Sequence, residues 1–269
     1  MNKDLKIIHN ELYSMLCDLD DFCKENNIQY VLAYGTALGC IRHGSFIPWD
    51  DDLDVQMTRE NYEKFLKLFK NNEKYFLQKS EEDYPLYFSK LRKNNTTFIE
   101  DVPYRKKYKN IHQGIFIDIF PIDKVSSNKF YQSIQIFYSN ILISLSLFLR
   151  GYKTNNLLKK VYMTFSLLFY PFRKKMVSFI EKFNSQNTNE YSSFLCETKK
   201  VYIKKEQVEN LIYKKFGGEG REFPLFSNIE EYLKRNYGDW QKVPTEEQKQ
   251  AKIHAKIFCL DKNYSEFLK

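Results

Sequence analysis

The order of apolar patterns predicts an α/β chain of the α+β kind: a small mixed sheet flanked by helices, with a helical insertion and a helical C-terminal part. Three observations predict it. Between residues 4 and 124, segments with apolar residues at three- and four-residue steps alternate with short β-branched and aromatic runs. Two of those runs carry a carboxylate inside an apolar stretch, Leu53-Asp54-Val55 and Ile117-Asp118-Ile119. Between residues 129 and 183 two uncharged stretches with basic flanks interrupt the alternation.

In chain order, Asp4 to Glu25 places Ile8, Leu12, Met15, Leu16, Leu19, Phe22 and Cys23 on one helical stripe, which serves packing. Asn26-Asn27 ends that helix, and Ile28, Tyr30, Val31 and Leu32 form a strand. Gly35-Thr36 then makes a turn. Gly35 lets backbone approach a ligand, and Thr36 is expected to cap a short helix running to Arg42. The N–H groups that open such a helix suit a phosphate, although a Gly-Thr pair after a strand is by itself an ordinary turn. A corner at Pro48-Trp49 leads into Asp50-Asp51-Asp52-Leu53-Asp54-Val55.

If Leu53 and Val55 are buried, the two-residue period of a strand puts Asp52 and Asp54 together on the other face. Adjacent like charges repel unless a cation lies between them, so the pair is expected to hold a divalent metal. Ligands that are all oxygen, without Cys or His nearby, favour Mg2+ or Mn2+ over zinc. A run of acids is more often a solvated loop, but Asp54 sits within apolar residues. Asp50 and Asp51 are expected to cap or orient.

Arg59 to Lys70 reads as a covering helix, with Tyr62, Phe65, Leu66 and Phe69 at helical spacing. Tyr75 to Gln78 and Tyr87 to Arg92 read as strands. The second puts Lys90 and Arg92 on one face, where Lys90 can meet a phosphate or stand as a solvated edge charge. Gly114 to Asp123 is a buried run broken by Asp118, and an unpaired charge there would cost several kcal/mol. Asp118 therefore needs a partner; it is a candidate metal ligand or general base, and the residues do not separate the two roles. Asp123, after Pro121, is expected to cap a turn.

Phe130 to Leu149 has the length of a membrane span, but its Gln, Ser, Asn and Tyr lower its hydrophobicity; Val161 to Phe172 is too short to span. Between Lys129 and Lys182, nine basic residues stand against Glu181 alone, a balance equal to the whole chain's formal +8. Two apolar segments with basic flanks predict a helical hairpin lying on an anionic membrane surface. The alternative is a buried helical insertion with a wet basic rim. Asn184 to Ser193 reads as a polar loop, Gly217-Gly218 as a turn, Tyr237-Gly238 as a helix end, and His254 as part of a helix.

The five cysteines, without a C-x-x-C pair, argue against a disulfide framework or zinc ribbon and for a reducing compartment. Met1 to Asp4 leads directly into an acidic amphipathic segment, so no signal peptide is expected. The abundance of Tyr and Phe marks a globular chain. Nothing reads as a basic recognition helix or an aromatic RNA motif, so no nucleic-acid partner is expected.

Gly35-Thr36-x-Leu38-Gly39 followed by Arg42-His43, then Phe46-Ile47-Pro48-Trp49-Asp50-Asp51-Asp52-Leu53-Asp54, closely resembles the signature of the LicD family of phosphocholine transferases. Fukutin-related ribitol-phosphate transferases look similar over the same residues. Asp118-Ile-Phe-Pro121 matches the family's later acidic element; Asn95-Thr96, Phe216-Gly217-Gly218, Tyr237-Gly238-Asp239 and His254 match shorter motifs. The resemblance implies a nucleotidyltransferase-like fold. With the residue patterns above, it gives a catalytic core with the N-terminal helix over residues 1–128, the apolar and basic helical insertion over 129–183, which the resemblance covers least, and a part over 184–269 that completes the same domain.

The activity it implies is Mg2+-dependent transfer of phosphocholine from CDP-choline, or of another CDP-linked alcohol phosphate, to a hydroxyl of a glycan or lipid-linked glycan, with release of CMP. Asp52, Asp54 and Asp118 would be the metal-binding and catalytic acids. Gly35, Thr36, Arg42, Trp49 and Lys90 would bind substrate, with Trp49, Tyr34 and Tyr104 as candidates for a choline cage. The expected location is cytoplasmic, peripheral at the inner face of the plasma membrane.

Overall fold

The computed structural model describes residues 3–79, 85–100, 111–218, 220–247, 249 and 254–267. Helix α1 (Lys3–Glu25) buries the stripe read from its period, with Ile8, Leu12, Met15 and Leu16 inaccessible to solvent. Asn27, at a φ of 51°, turns the chain out of it. Strand β1 is only Val31–Leu32, shorter than expected, and α2 (Tyr34–His43) follows. Next come β2 (Asp54–Thr58), α3 (Arg59–Leu68), β3 (Tyr75–Gln78), β4 (Ser89–Lys93), β5 (Thr97–Glu100) and β6 (Phe116–Lys124).

The main sheet runs β1-β2-β6-β4-β3, with β2 and β6 parallel and the other pairs of that path antiparallel. A parallel pair at the centre needs both faces covered. Val55 and Met57 of β2, and Ile117 and Ile119 of β6, are accordingly buried in one core with the α1 stripe and with Tyr62 and Phe65 of α3.

The expected hairpin is three helical pieces: α4 (Lys129–Leu149), α5 (Leu157–Phe165) continuing as a 3-10 segment (Ser166–Phe172), and α6 (Arg173–Glu181). Pro171 lies in the 3-10 stretch, consistent with the break between α5 and α6. Their own small core is Ile141, Leu142, Met176 and Ile180 with Val125, Phe194 and Leu195.

Residues 184–193, expected to be loop, contain β7 (Glu190–Ser192), which extends the sheet from the end of β6 and pairs with β8 (Ile203–Lys204). Helix α7 (Lys205–Glu209), β9 (Ile212–Lys215), β10 (Glu222–Leu225), α8 (Ile229–Tyr237) and β11 (Ala255–Cys259) complete the chain. This last part is thus as much strand as helix. Phe216, Phe223, Tyr232 and Leu233 pack into the same core as the sheet. Gly217 and Gly218 take left-handed φ values of 81° and 85°, and Gly238 ends α8 at 71°, as their turn roles require.

Asp123 does not cap a turn. It is fully buried and takes a two-pronged contact from Arg59 at 2.8 and 2.9 Å, while Asn184 donates to it at 2.8 Å. Glu181 of α6 lies 3.2 Å from the same guanidinium, so this buried pair ties the insertion to the sheet. The five cysteines are all unpaired.

Candidate active site

The site forms where β2 begins. Asp54 opens that strand and is the register partner of Asp118 on the parallel neighbour β6. Partners in register point to the same face, so two carboxylates 64 positions apart in the chain stand side by side. Asp52 lies just ahead of the strand, and Leu53 is fully buried, the alternation that the sequence required. Thr36 holds the entry to β2: its hydroxyl accepts the Asp54 N–H at 2.9 Å. Ala33, not Thr36, occupies the N-cap of α2, and no side chain caps that helix.

The helix start bears strain. Tyr34 sits at a φ of 42°, left-handed space that a side chain other than Asn, Asp or Gly rarely enters. A buried network over-determines it. The Tyr34 hydroxyl donates to Ser193 Oγ at 2.9 Å and accepts from Gln56 at 2.8 Å, and its N–H donates to the Tyr232 hydroxyl at 3.2 Å. The expected phosphate-facing N-terminus is therefore shaped by β2, α8 and the segment after β7 together. Asp50 leans over it, because a Cβ built on Gly35 would come within 2.9 Å of Asp50 Oδ2.

The cluster is electrostatically unstable by itself. Burial, then Asp50 and Asp118, push the Asp52 carboxyl up to about 7. Burial, then Asp52 and Asp118, hold Asp54 far above the ordinary carboxylate range. Burial also raises Asp118 against the pull of Lys90. Lys90 is that acid's register partner on β4, almost wholly buried, with its ammonium 2.9 Å from Asp118 Oδ1 and 3.8 Å from Glu100. It also lies over the Phe116 ring at 3.4 Å. Lys90 thus belongs to the site as the counter-ion of Asp118 and not as an edge charge.

Two features suit a hard divalent cation. The donors are all carboxylate oxygens, and the acids raise one another's pKa. Asp118 Oδ1 has the Lys90 ammonium beside it at 2.9 Å but no hydrogen bond aligned on it. Among the described residues no three acid, histidine or cysteine side chains converge tightly enough to enclose an ion.

The other expected residues make contacts of their own. Arg42 donates to the Trp240 carbonyl at 2.9 Å and to His43 at 3.0 Å, and its guanidinium covers the Trp49 ring at 5.9 Å. Lys249 lies over the same ring at 5.3 Å. Arg42 and Trp49 are therefore brought to each other, Arg42 also to Trp240 and Trp49 to Lys249, so the Trp49 faces already attract two cations. Tyr34 is buried with its edge against Phe120, which leaves no open face for a cage. Tyr104 lies outside the described residues.

Two residues were under-read in the sequence. Asp51 is almost wholly buried and accepts both the N–H and Nδ1 of His254, each at 2.6 Å. That contact pushes the imidazole up to about 9. His254 is not on a helix; it precedes β11, which pairs with β5 and delivers it to the acidic loop. Glu197, which the sequence did not single out, is half-buried and lines a cavity of about 660 Å3 with residues of α4 and α5. A carboxylate so far from the acidic motif carried no local signal.

Comparison with known proteins follows the same residues. Residues 27–177 match the family described as LicD/FKTN/FKRP, nucleotidyltransferase domain. The chain is 31% identical over 241 residues to the lipopolysaccharide cholinephosphotransferase LicD of Haemophilus influenzae, covering 84% of this chain and 86% of that protein. It is also 39% identical over 62 residues to an uncharacterized protein of Rickettsia typhi, 22% of this chain and 20% of that one. An uncharacterized protein of Rickettsia prowazekii is 42% identical over 50 residues, 19% of each chain.

Proposed function

Because the chain belongs to the LicD/FKTN/FKRP nucleotidyltransferase-domain family, we propose that it transfers phosphocholine from CDP-choline to a hydroxyl of a cell-surface glycan precursor. The observation that carries this reading is the pairing of Asp54 with Asp118 across parallel strands, with Asp52 beside them. Asp50 also raises Asp52 and Asp54, and without a cation an anionic diphosphate brought among these acids would be repelled.

Asp52 and Asp54 would hold Mg2+ or Mn2+, with Asp118 as the third oxygen donor or as the base. When bound, the ion would neutralise the diphosphate and the charge that develops on the leaving CMP. Asp118, steadied by the Lys90 ammonium, orients the acceptor hydroxyl and takes its proton. The acceptor oxygen then bonds to the phosphorus that carries choline, the bond from that phosphorus to the CMP oxygen breaks, and CMP departs with the electron pair. Of the first-turn N–H groups of α2, which have no partner within their own helix, that of Tyr34 is taken by the Tyr232 hydroxyl, so those of Gly35 and Thr36 would be the ones to meet a phosphate.

The test is incubation of purified protein with Mg2+ and CDP-choline, CDP-ribitol or CDP-glycerol, with and without glycan acceptors. Metal-dependent CMP release that is greatest with CDP-choline supports the reading. Greatest release with another CDP-alcohol would move the donor assignment. Pyrophosphate release from a nucleoside triphosphate, with no CMP from any CDP-alcohol, would replace the reading with nucleotidyl transfer.

A further inference from the structure

Helix α5 is amphipathic the wrong way round for a helix covering a core. Its inward residue is Met163, 4% exposed. Leu157 and Leu158 are 72% and 81% exposed, and Val161 and Phe165 share their arc. At about 100° per residue these four positions fall within roughly a third of the helix circumference, opposite Met163. The 3-10 continuation prolongs the face with Leu168 and Phe172, both more than half exposed. Large apolar side chains gathered in this way mark a contact surface and not ordinary surface scatter.

The rim of the face is basic. Exposed Lys153, Lys159 and Lys160 flank its start and Lys174 and Lys175 its end, and no Asp or Glu occurs from residue 129 to residue 180. Helix α4 is long and apolar enough to span a bilayer, but Ile141, Leu142 and Leu145 are wholly buried in the body of the protein. It is the platform beneath the face.

We propose that the outer face of α5 and its 3-10 continuation docks on an anionic phospholipid bilayer, with the six apolar side chains in the acyl boundary and the lysines among the headgroups. The charge pattern selects this occupant. A second copy of the chain would bring one acid-free basic rim against another, and like charges would oppose a two-fold contact. A surface of anionic lipid gains from each lysine.

The test is co-sedimentation of the full chain with vesicles of phosphatidylcholine alone or with about one-third phosphatidylglycerol. The expected result is binding to the anionic vesicles, weakened by salt. Leu158→Glu with Leu168→Glu, both at exposed positions, should weaken it at least tenfold. Lys159→Gln with Lys160→Gln should weaken it on the order of tenfold. Absence of binding, or unchanged binding by these variants, would overturn the proposal. So would a dimer of the free protein that Leu158→Glu dissolves when no vesicle binding is seen, since the face would then be a contact between copies. The assay needs no donor or metal, so its outcome is independent of the transferase reading; CMP release in solution should be unchanged in the variants.

Discussion

Lys90 and Asp118 face each other across antiparallel strands with 2.9 Å between ammonium and carboxylate, the lysine buried and the acid nearly so. Among the described side-chain ion pairs it is the one made to Asp52, Asp54 or Asp118, while His254 pairs with the neighbouring Asp51. It offsets part of the charge that Asp52, Asp54 and Asp118 bring to one another.

Replacing Lys90 with Met should therefore leave Asp118 beside Asp52 and Asp54 without its nearest counter-charge. Breaking a buried pair from one side costs about 3–5 kcal/mol. Urea denaturation in metal-free buffer should show that loss, and added Mg2+ should recover part of it. Equal stability of the variant and the parent would mean that the pair contributes nothing.

Asp54→Asn should have opposite effects on stability and turnover. It removes a charge that burial and two neighbouring acids disfavour, so the metal-free protein should melt at the same temperature or higher. CMP release should fall by on the order of a thousandfold, and Mg2+ should no longer raise the melting temperature. In the parent, Asp52 is held up at about 7, above its unfolded range. The folded protein then binds more protons than the unfolded chain between about pH 4 and 7, so metal-free stability falls as pH rises through that window. Mg2+ should stabilise more at pH 8 than at pH 6, because its ligands must be ionised.

Thr36→Val keeps the shape but removes the acceptor of the Asp54 N–H. A buried donor left unsatisfied costs about 1–3 kcal/mol, and the strand entry that aims Asp54 loosens with it. Stability by denaturation and the Mg2+ requirement for turnover should both worsen, whereas Thr36→Ser should restore them.

His254 should titrate high. Its folded pKa of about 9 lies above the ordinary histidine value, so the His254–Asp51 pair stabilises fully below about pH 6.5 and is lost as pH rises through 9. The imidazole is about half exposed, so solvent screens it, and the melting difference between the parent and His254→Gln should be a few degrees at most. That difference should be present at pH 6 and absent at pH 10. An NMR titration placing the ring near 6.5 would remove the pairing from the account.

Local periods carried much of the fold. The α1 stripe, the α3 stripe and the burial of Leu53 and Val55 around Asp54 all follow from 3.6- and 2-residue repeats, because those repeats determine which side chains share a face. An acid inside an apolar run likewise announces itself, since a buried charge needs a reason; Asp54 and Asp118 were legible on that ground.

What the chain could not state locally was which faces meet. The Asp54–Asp118 and Lys90–Asp118 partnerships are matters of strand register across long loops. His254 reaches Asp51 only because β11 pairs with β5, and Thr36 turns from an expected cap into an anchor only because α2 packs against the start of β2. Arg42 and Trp49, in the same motif as the acids, end against the 240–249 segment instead. A repeat of two or 3.6 residues records the side a residue takes, but neighbours far apart in sequence are selected by closing long loops and packing the whole core, and the energy of that choice is spread over many residues.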